Sequence, residues 1–188
     1  TQNKKNFFNS GATYNAKDTV SINPGTKRIT LYNNAKLVYG EMEITSGKIV
    51  IDYSKNEIYA GRIKDSSGTL SQSPIFKQGN DIIEPDSIRF NLDSKKALIF
   101  NSKTEQSGMN IISEKTKKQN DSVYFMDRAK FTTSEDLDNP EYYFLLRNAK
   151  VVPGKKIITG FTNMFIAGVP TPIGLPFGYF PLTKKRTS

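Results

Sequence analysis

The stretch Asp18-Thr19-Val20-Ser21-Ile22-Asn23 returns as Asp86-Ser87-Ile88-Arg89-Phe90-Asn91. The correspondence runs on through Lys27 and Lys95 into Ile29-Thr30-Leu31-Tyr32-Asn33 and Ala97-Leu98-Ile99-Phe100-Asn101. A third copy opens at Asp121-Ser122-Val123-Tyr124-Phe125. A weaker one is Lys48-Ile49-Val50-Ile51-Asp52, followed by Ile58-Tyr59-Ala60. Each unit reads as a strand of period two, a polar turn and a second strand. Such a unit cannot bury its apolar face alone, so neighbours must stack. A spacing of about thirty to forty residues predicts hairpins added in series, as an elongated jelly roll, a solenoid or an open sandwich. Loose likeness between hairpins is common in antiparallel β proteins; the recurring Asp-Ser/Thr-Val/Ile-x-Ile/Phe string is more specific.

Outside the repeats the same grammar holds. Leu37-Val38-Tyr39, Met42-Glu43-Ile44 and Tyr142 to Leu146 read as further strands. Asn23-Pro24-Gly25, Asn33-Asn34, Ser46-Gly47, Ser54-Lys55-Asn56, Ser66-Ser67-Gly68, Gln78-Gly79-Asn80 and Asp93-Ser94 read as turns between them. No stretch has a convincing helical period; the nearest candidate is Asn110 to Gln119. The 188 residues are 36% hydrophobic and 24% charged, with aliphatics recurring along the whole length, which is the composition of a folded chain. No apolar run is long enough for a transmembrane helix. The chain opens on Thr1 with no charged-then-apolar leader, and is expected to be a processed or excised form.

The sequence holds no Cys, His or Trp. This removes thiolate chemistry, imidazole bases, Cys/His zinc sites and disulfides. Glu135, Asp136, Asp138 and Glu141 lack a calcium-loop glycine and a partner base, and read as a solvated turn before Pro140. Gly154-Lys155-Lys156 lacks the first glycine and the hydroxyl residue of a phosphate loop. No catalytic residue, metal ligand or cofactor is therefore expected. The net charge of +9 makes polyanionic partners plausible: nucleic acid, acidic headgroups or phosphorylated glycolipid. However, Lys27-Arg28, Lys95-Lys96, Lys117-Lys118, Lys155-Lys156 and Lys184-Lys185-Arg186 are scattered pairs, read as solvated turn charges, and nucleic acid is not expected.

The last third changes character. Ala129-Lys130-Phe131-Thr132-Thr133 leads through the acidic turn to Pro140-Glu141-Tyr142-Tyr143-Phe144-Leu145-Leu146, and then to Pro153-Gly154. The run Val169-Pro170-Thr171-Pro172-Ile173-Gly174-Leu175-Pro176-Phe177-Gly178-Tyr179-Phe180-Pro181 follows. It is apolar but broken by proline and glycine, so it can be neither helix nor central strand and wants an apolar surface to lie against. These motifs, together with the Asp-Ser/Thr-Val/Ile repeats, resemble the LptD (OstA) family of outer-membrane lipopolysaccharide-assembly proteins, loosely over 12–126 and closely over 127–181. Many members carry Cys after the paired threonines; here it is Ser134. Disulfide-gated maturation, known in part of that family, therefore cannot operate within this segment.

The resemblance implies an all-β fold, an elongated OstA-type jelly roll: an open, twisted antiparallel sandwich of repeated hairpins. It divides the chain into a leader remnant (1–11), a periplasmic roll (12–165) and a Pro/Gly-rich segment (166–188) leading to a membrane barrel. It implies a lipid-conducting domain of the outer-membrane translocon on the periplasmic side of a Gram-negative cell. Lipopolysaccharide, an LptA-like bridge protein pairing with an edge strand, and an outer-membrane lipoprotein would be its partners. The expected lipid-contact residues are Val20, Ile22, Leu31, Ile49, Ile51, Ile88, Phe90, Leu98, Phe100, Val123, Phe125 and Phe131; Phe177, Tyr179 and Phe180 are expected near the membrane. Read from the residues alone, an inward row of this kind is core if the sheets close and an acyl-chain groove if they splay, with each buried methylene worth about 0.8 kcal/mol. Two other readings stand beside the translocon. One is a soluble bridge of the same jelly-roll class. The other is a β-solenoid enzyme acting on polysaccharide, which would want carboxylates where the repeats place Ile, Phe and Val.

Overall fold

The repeated hairpins close in one way. Asn23, Asp52 and Asn91 each begin a turn in which the side-chain oxygen accepts the N–H three residues on, from Thr26 (3.0 Å), Lys55 (3.2 Å) and Ser94 (2.9 Å). Four positions after each opener the backbone turns left-handed, at Lys27 (φ 54°), Asn56 (φ 50°) and Lys95 (φ 58°). This is the left-handed residue that follows a type I turn in longer hairpin loops. The turns also pair with one another: Tyr53 N–H donates to Lys27 O (3.1 Å) and Leu92 N–H to Asn56 O (2.8 Å). The Asn56 amide reaches both carboxylate oxygens of Asp93, at 3.0 and 3.1 Å. The alignment of Lys27 with Lys95, read in the sequence, is thus an alignment of backbone conformation.

The computed structural model describes residues 11–79, 81–106, 108–120 and 123–182, with 81 and 106 described through their backbone alone. Residues 1–10 of the expected leader, Asn80, the repeat opener Asp121-Ser122 and the cluster Lys184-Lys185-Arg186 lie outside them. No described residue is α-helical; Asn110 to Gln119, the nearest helix candidate, is strand. The chain divides into two compact units, Thr1–Ala97 and Leu98–Ser188, a division inside the stretch 12–165 expected as one roll.

Unit 1 carries β1 (Thr13–Asn15), β2 (Thr19–Asn23), β3 (Arg28–Tyr39), β4 (Met42–Asp52), β5 (Glu57–Gly61), β6 (Ile63–Lys64), β7 (Leu70–Ser71), β8 (Ile75–Gln78), β9 (Asp81–Ile83) and β10 (Ser87–Asn91). The long hairpin β3–β4 serves two leaves. Its outer ends pair with β2 and with β5, which continues to β10; its inner ends pair with β1 and with β8, which continues to β9. The change of partner falls where Asn33 and Asn34 are left-handed (φ 65° and 46°) and the β3–β4 register shifts. Gln72 fills that corner: its side chain accepts from Asn34 N–H (2.7 Å) and donates to Asn33 (2.6 Å), while its carbonyl takes Gly47 N–H (2.9 Å). Phe76 of one leaf meets Phe90 of the other, ring centroids 5.7 Å apart, and Ile29, Leu31, Leu37, Ile44, Ile49, Ile51, Ile58 and Ile88 are buried with them.

β11 (Ala97–Gln106) starts at the junction of the units. Unit 2 continues with β12 (Met109–Asn120), β13 (Val123–Thr132), β14 (Tyr142–Leu146), β15 (Ala149–Val152), β16 (Lys156–Thr159), β17 (Thr162–Ile166), β18 (Val169–Leu175) and β19 (Gly178–Pro181). Here β13 is the shared strand. Beyond Arg128 (φ 50°) it pairs with β14, which continues to β17 and β18; before it, β13 pairs with β15, which continues to β16 and β19. Phe131 and Phe180 close these two branches, centroids 5.5 Å apart.

Asp52 opens a turn and also carries an ion pair with Arg28 Nε (3.0 Å) and a hydrogen bond from Ser54 Oγ (2.6 Å). The Ser54 hydroxyl chiefly holds its carboxyl below the usual range; burial opposes this, and Arg28 and the Lys55 N–H add to the lowering. A depressed folded value means the contribution is present above the unfolded aspartate pKa of about 3.9 and is lost as pH falls through the folded value. Asp52→Asn is expected to cost about 1 kcal/mol at pH 7 and less at pH 2–3, as the carboxylate becomes protonated. Urea denaturation at both pH values checks this; an equal cost at both would mean the charge contributes nothing.

Candidate lipid-contact surfaces

The expected lipid-contact residues sort into three groups. Leu31, Ile49, Ile51, Ile88 and Phe90 line the inside of unit 1 and Phe131 the inside of unit 2, all of them buried. In this structure the inward row of unit 1 is packed by its own side chains. Val20 and Ile22 share that inner face, since they stand opposite Leu31 and Ile29 across the β2–β3 ladder, yet they are 46% and 55% exposed. Among the described residues β2 has a ladder partner on one side only, and none of them covers its inner face enough to exclude water. Among the described residues of unit 1, the apolar inner face is therefore left uncovered at this edge.

The third group corrects the expected phase. Leu98, Phe100, Val123 and Phe125 are not on the inward row; the buried neighbours are Ala97, Ile99, Tyr124 and Met126, while Phe100 and Phe125 are 39% and 45% exposed. Both segments are apolar at every position, so alternation gives no preferred face. The hairpin closure decides: Asn91 N–H donates to Lys96 O (2.9 Å), which puts Ala97 on the face of Phe90, and alternation carries it to Ile99. The phase then flips at the left-handed Asn101 (φ 48°), so Ser102 is buried against Thr116, hydroxyls 3.3 Å apart.

Lys117-Lys118, expected in a turn, lies within β12; Lys118 is 1% exposed, its Nζ 5.9 Å from the Tyr124 ring centroid. The acidic segment is solvated as expected. Asp136 accepts the N–H groups of Asp138 and Asn139 (3.0 Å each), and Lys103 pairs with Asp138 at 2.7 Å. That hydrogen bond and the Lys103 charge hold the Asp138 carboxyl below its usual range. Among the described residues no group of acidic side chains could hold a metal ion.

The Pro/Gly run is neither helix nor central strand, as its prolines imply: it enters the ladders only as the terminal strand of each branch. β18 pairs with β17 through an irregular register, and β19 pairs with β16. A terminal strand can carry proline because its N–H side needs no partner. Its apolar residues stay in water: Phe177 is 74% exposed and Tyr179 61%, and Val169, Ile173 and Leu175 are also exposed. Phe180 differs, being half-buried on Phe131, and Leu182 behind it is buried, its N–H donating to Lys155 O at 2.8 Å. The threonine motif fixes the start of β14: Thr132 Oγ1 donates to Tyr142 O (2.6 Å) and accepts Ser134 N–H (3.0 Å), and Thr133 and Tyr142 share a hydroxyl hydrogen bond.

The comparisons agree with this architecture. A family model described as LptD protein matches residues 157–188, a stretch that takes in all but the first residue of β16 and the whole of β17 to β19. A search of curated proteins found no match. Among solved structures the fold is similar to that of LptH from Pseudomonas aeruginosa, described as the LptA-homologous periplasmic component of the conserved lipopolysaccharide transport device. It shares 12% identity at a TM-score of 0.51, over 69% of this chain and 88% of that one. The class is thus an all-β protein with the LptA-type jelly-roll fold. The resemblance to LptD read from the C-terminal motifs holds for its last segment.

Gly178 sits where a side chain would collide: a Cβ there would come within 2.7 Å of both Thr159 Cγ2 and Phe180 Cε2. Gly178→Ala is expected to push Phe180 off Phe131 and destabilise unit 2 by about 1–3 kcal/mol. Hydrogen exchange should show protection lost in β16 and β19 and kept in β3–β5. Unchanged protection in β19 would mean the ring pair does not hold that branch.

Proposed function

We propose that this chain is a lipid-conducting domain of the lipopolysaccharide transport path, on the periplasmic side of the outer membrane. The observation that supports this most is the LptD protein match at residues 157–188, on a chain whose fold is of the LptA type. In this reading acyl chains lie against the inner face continuous with Leu31, Ile49, Ile51, Ile88 and Phe90, and enter past Val20 and Ile22. Phosphates and sugars stay at the solvated rim. The role is transport rather than catalysis. The exposed Phe177 and Tyr179 face the membrane interface, where aromatic residues are favoured. The LptA-type fold equally favours a second reading, a soluble bridge in the same path. The two separate by fractionation: a translocon component is recovered with the outer membrane and its lipoprotein partner, a bridge in the periplasmic fraction.

A photo-crosslinking residue at Val20 or Ile22 is expected to capture lipopolysaccharide or lipid A in cells, and one at Arg89, which is exposed, is not. Capture at Arg89 and at neither β2 position would place the lipid on the wrong face for this proposal.

The edge of β2 also offers backbone groups to another strand, as an LptA-like partner would need. Successive N–H groups of a strand point to opposite sides, so a proline at one of the two positions Val20 and Ser21, and not at the other, removes a donor on the free side. One of Val20→Pro and Ser21→Pro should weaken association with the bridge protein in a pull-down while circular dichroism stays unchanged. Full binding by both folded variants would exclude this edge.

A further inference from the structure

The fork in unit 2 leaves a cavity on the outer face of its sheet. β13 is covered by β15 as far as Met126 and by β14 from Ala129 on, so Asp127 and Arg128 fall between the two partners. On the other side of the gap the chain turns through Arg147 and the left-handed Asn148 (φ 55°). The resulting hollow measures about 280 Å³ and is lined by Lys115, Lys117, Phe125, Asp127 and Asn148, over a floor from Met126 and Ala149. Cross-strand register explains the grouping: Lys117 stands opposite Phe125, Lys115 opposite Asp127, and Phe125 opposite Lys150. Lys150 Nζ lies over the Phe125 ring at 5.9 Å from its centroid, and Phe125 remains 45% exposed.

From this grouping we infer a binding site for an anionic saccharide, one sugar unit carrying a phosphate or carboxylate. Each lining group has a part in that chemistry. The exposed Phe125 offers an apolar aromatic surface to the C–H face of a sugar ring, and Asn148 and Asp127 offer a donor–acceptor pair and an acceptor to its hydroxyls. Lys115, Lys117 and Lys150 outnumber the single Asp127, so the hollow attracts an anion. The volume is just below the range of about 300–1,000 Å³ that accommodates drug-sized ligands, which suits one ring rather than an acyl chain. Phe125 and its neighbours face outward, away from the buried row of Tyr124 and Met126. The inference rests on the proposed transport function and deepens it: it gives the sugar part of the cargo a contact of its own, on the outer face of unit 2.

The test titrates the ¹⁵N-labelled full chain with glucose 6-phosphate, glucose and inorganic phosphate, each alone, following amide shifts. Glucose 6-phosphate should move Lys117, Phe125 and Asn148, with glucose and phosphate each at least about tenfold weaker. Phe125→Ala and, separately, the pair Lys117→Gln/Lys150→Gln should each weaken it about tenfold. Equal response to phosphate alone, with Phe125→Ala without effect, would reduce the hollow to a basic patch and overturn the proposal. So would the absence of shifts at these residues with all three probes. Crosslinking of lipid at Ile22 in the Phe125→Ala background keeps the two ideas apart. Lost sugar binding with retained crosslinking supports two separate sites. Sugar binding in a wild-type chain that captures no lipid at Ile22 would sink the transport reading and leave this site standing.

Discussion

A strand that must serve two leaves has to change partners without leaving a buried N–H or C=O unpaired. Everything else in this fold follows from how that is done. In unit 1 the change falls at Asn33-Asn34 on β3 and Ser46-Gly47 on β4. The two left-handed asparagines rotate the strand, and Gln72 and Ser46, whose hydroxyl donates to Gly61 O at 2.8 Å, take up the groups that the ladder releases. Asparagine tolerates the left-handed region better than other non-glycine residues. Gly47 is needed for space: a Cβ there would meet Ile63 Cγ1 at 2.7 Å. Only with the corner satisfied can the leaves fold toward each other and bring Phe76 onto Phe90.

Unit 2 solves the same problem with one shared strand. Arg128 is the left-handed residue of β13, and its guanidinium reaches Glu114 across the ladder at 3.5 Å. Both side chains are well exposed, so this pair contributes little and the backbone turn carries the corner. The flip it introduces puts Ala129 and Phe131 inside beyond the corner and Tyr124 and Met126 inside before it. One residue of altered φ thus assigns every side chain of β13 to its face.

The turns and the edges were legible in the sequence. The turns at Asn23-Pro24-Gly25 and Asp93-Ser94 are legible by residue type, and the repeat aligns Lys27 with Lys95, which share a left-handed backbone. The prolines of 170–181 excluded a central strand, which needs every N–H, and the run is indeed confined to terminal strands. What was not legible was phase. Ala97-Leu98-Ile99-Phe100 and Val123-Tyr124-Phe125-Met126 are apolar on both parities, and the faces are set by a turn upstream and a corner downstream. Nor was the inside of β12 readable, because Ser113, Thr116 and Lys118 are polar by type and buried by position. The hollow beside Phe125 was not legible either: it comes from a fork between β14 and β15, and Lys115 and Lys117 are far from Asn148 in the chain.

The packed interior of unit 1 bears on how a lipid could be held there. Inner residues from Ile29 to Phe90 are already out of water, so an acyl chain entering among them gains its own burial but displaces side-chain contacts. A methylene gains about 0.8 kcal/mol on leaving water, while opening a close-packed row forfeits contacts of similar size for each group moved. Insertion at the centre would therefore nearly cancel. At β2 the balance differs, because Val20 and Ile22 are apolar, on the inner face and still wet. A chain laid there buries itself and those two residues together and displaces only water. Any entry into the roll is accordingly favoured from the β2 edge inward, with the leaves parting progressively behind the first methylenes rather than opening in advance.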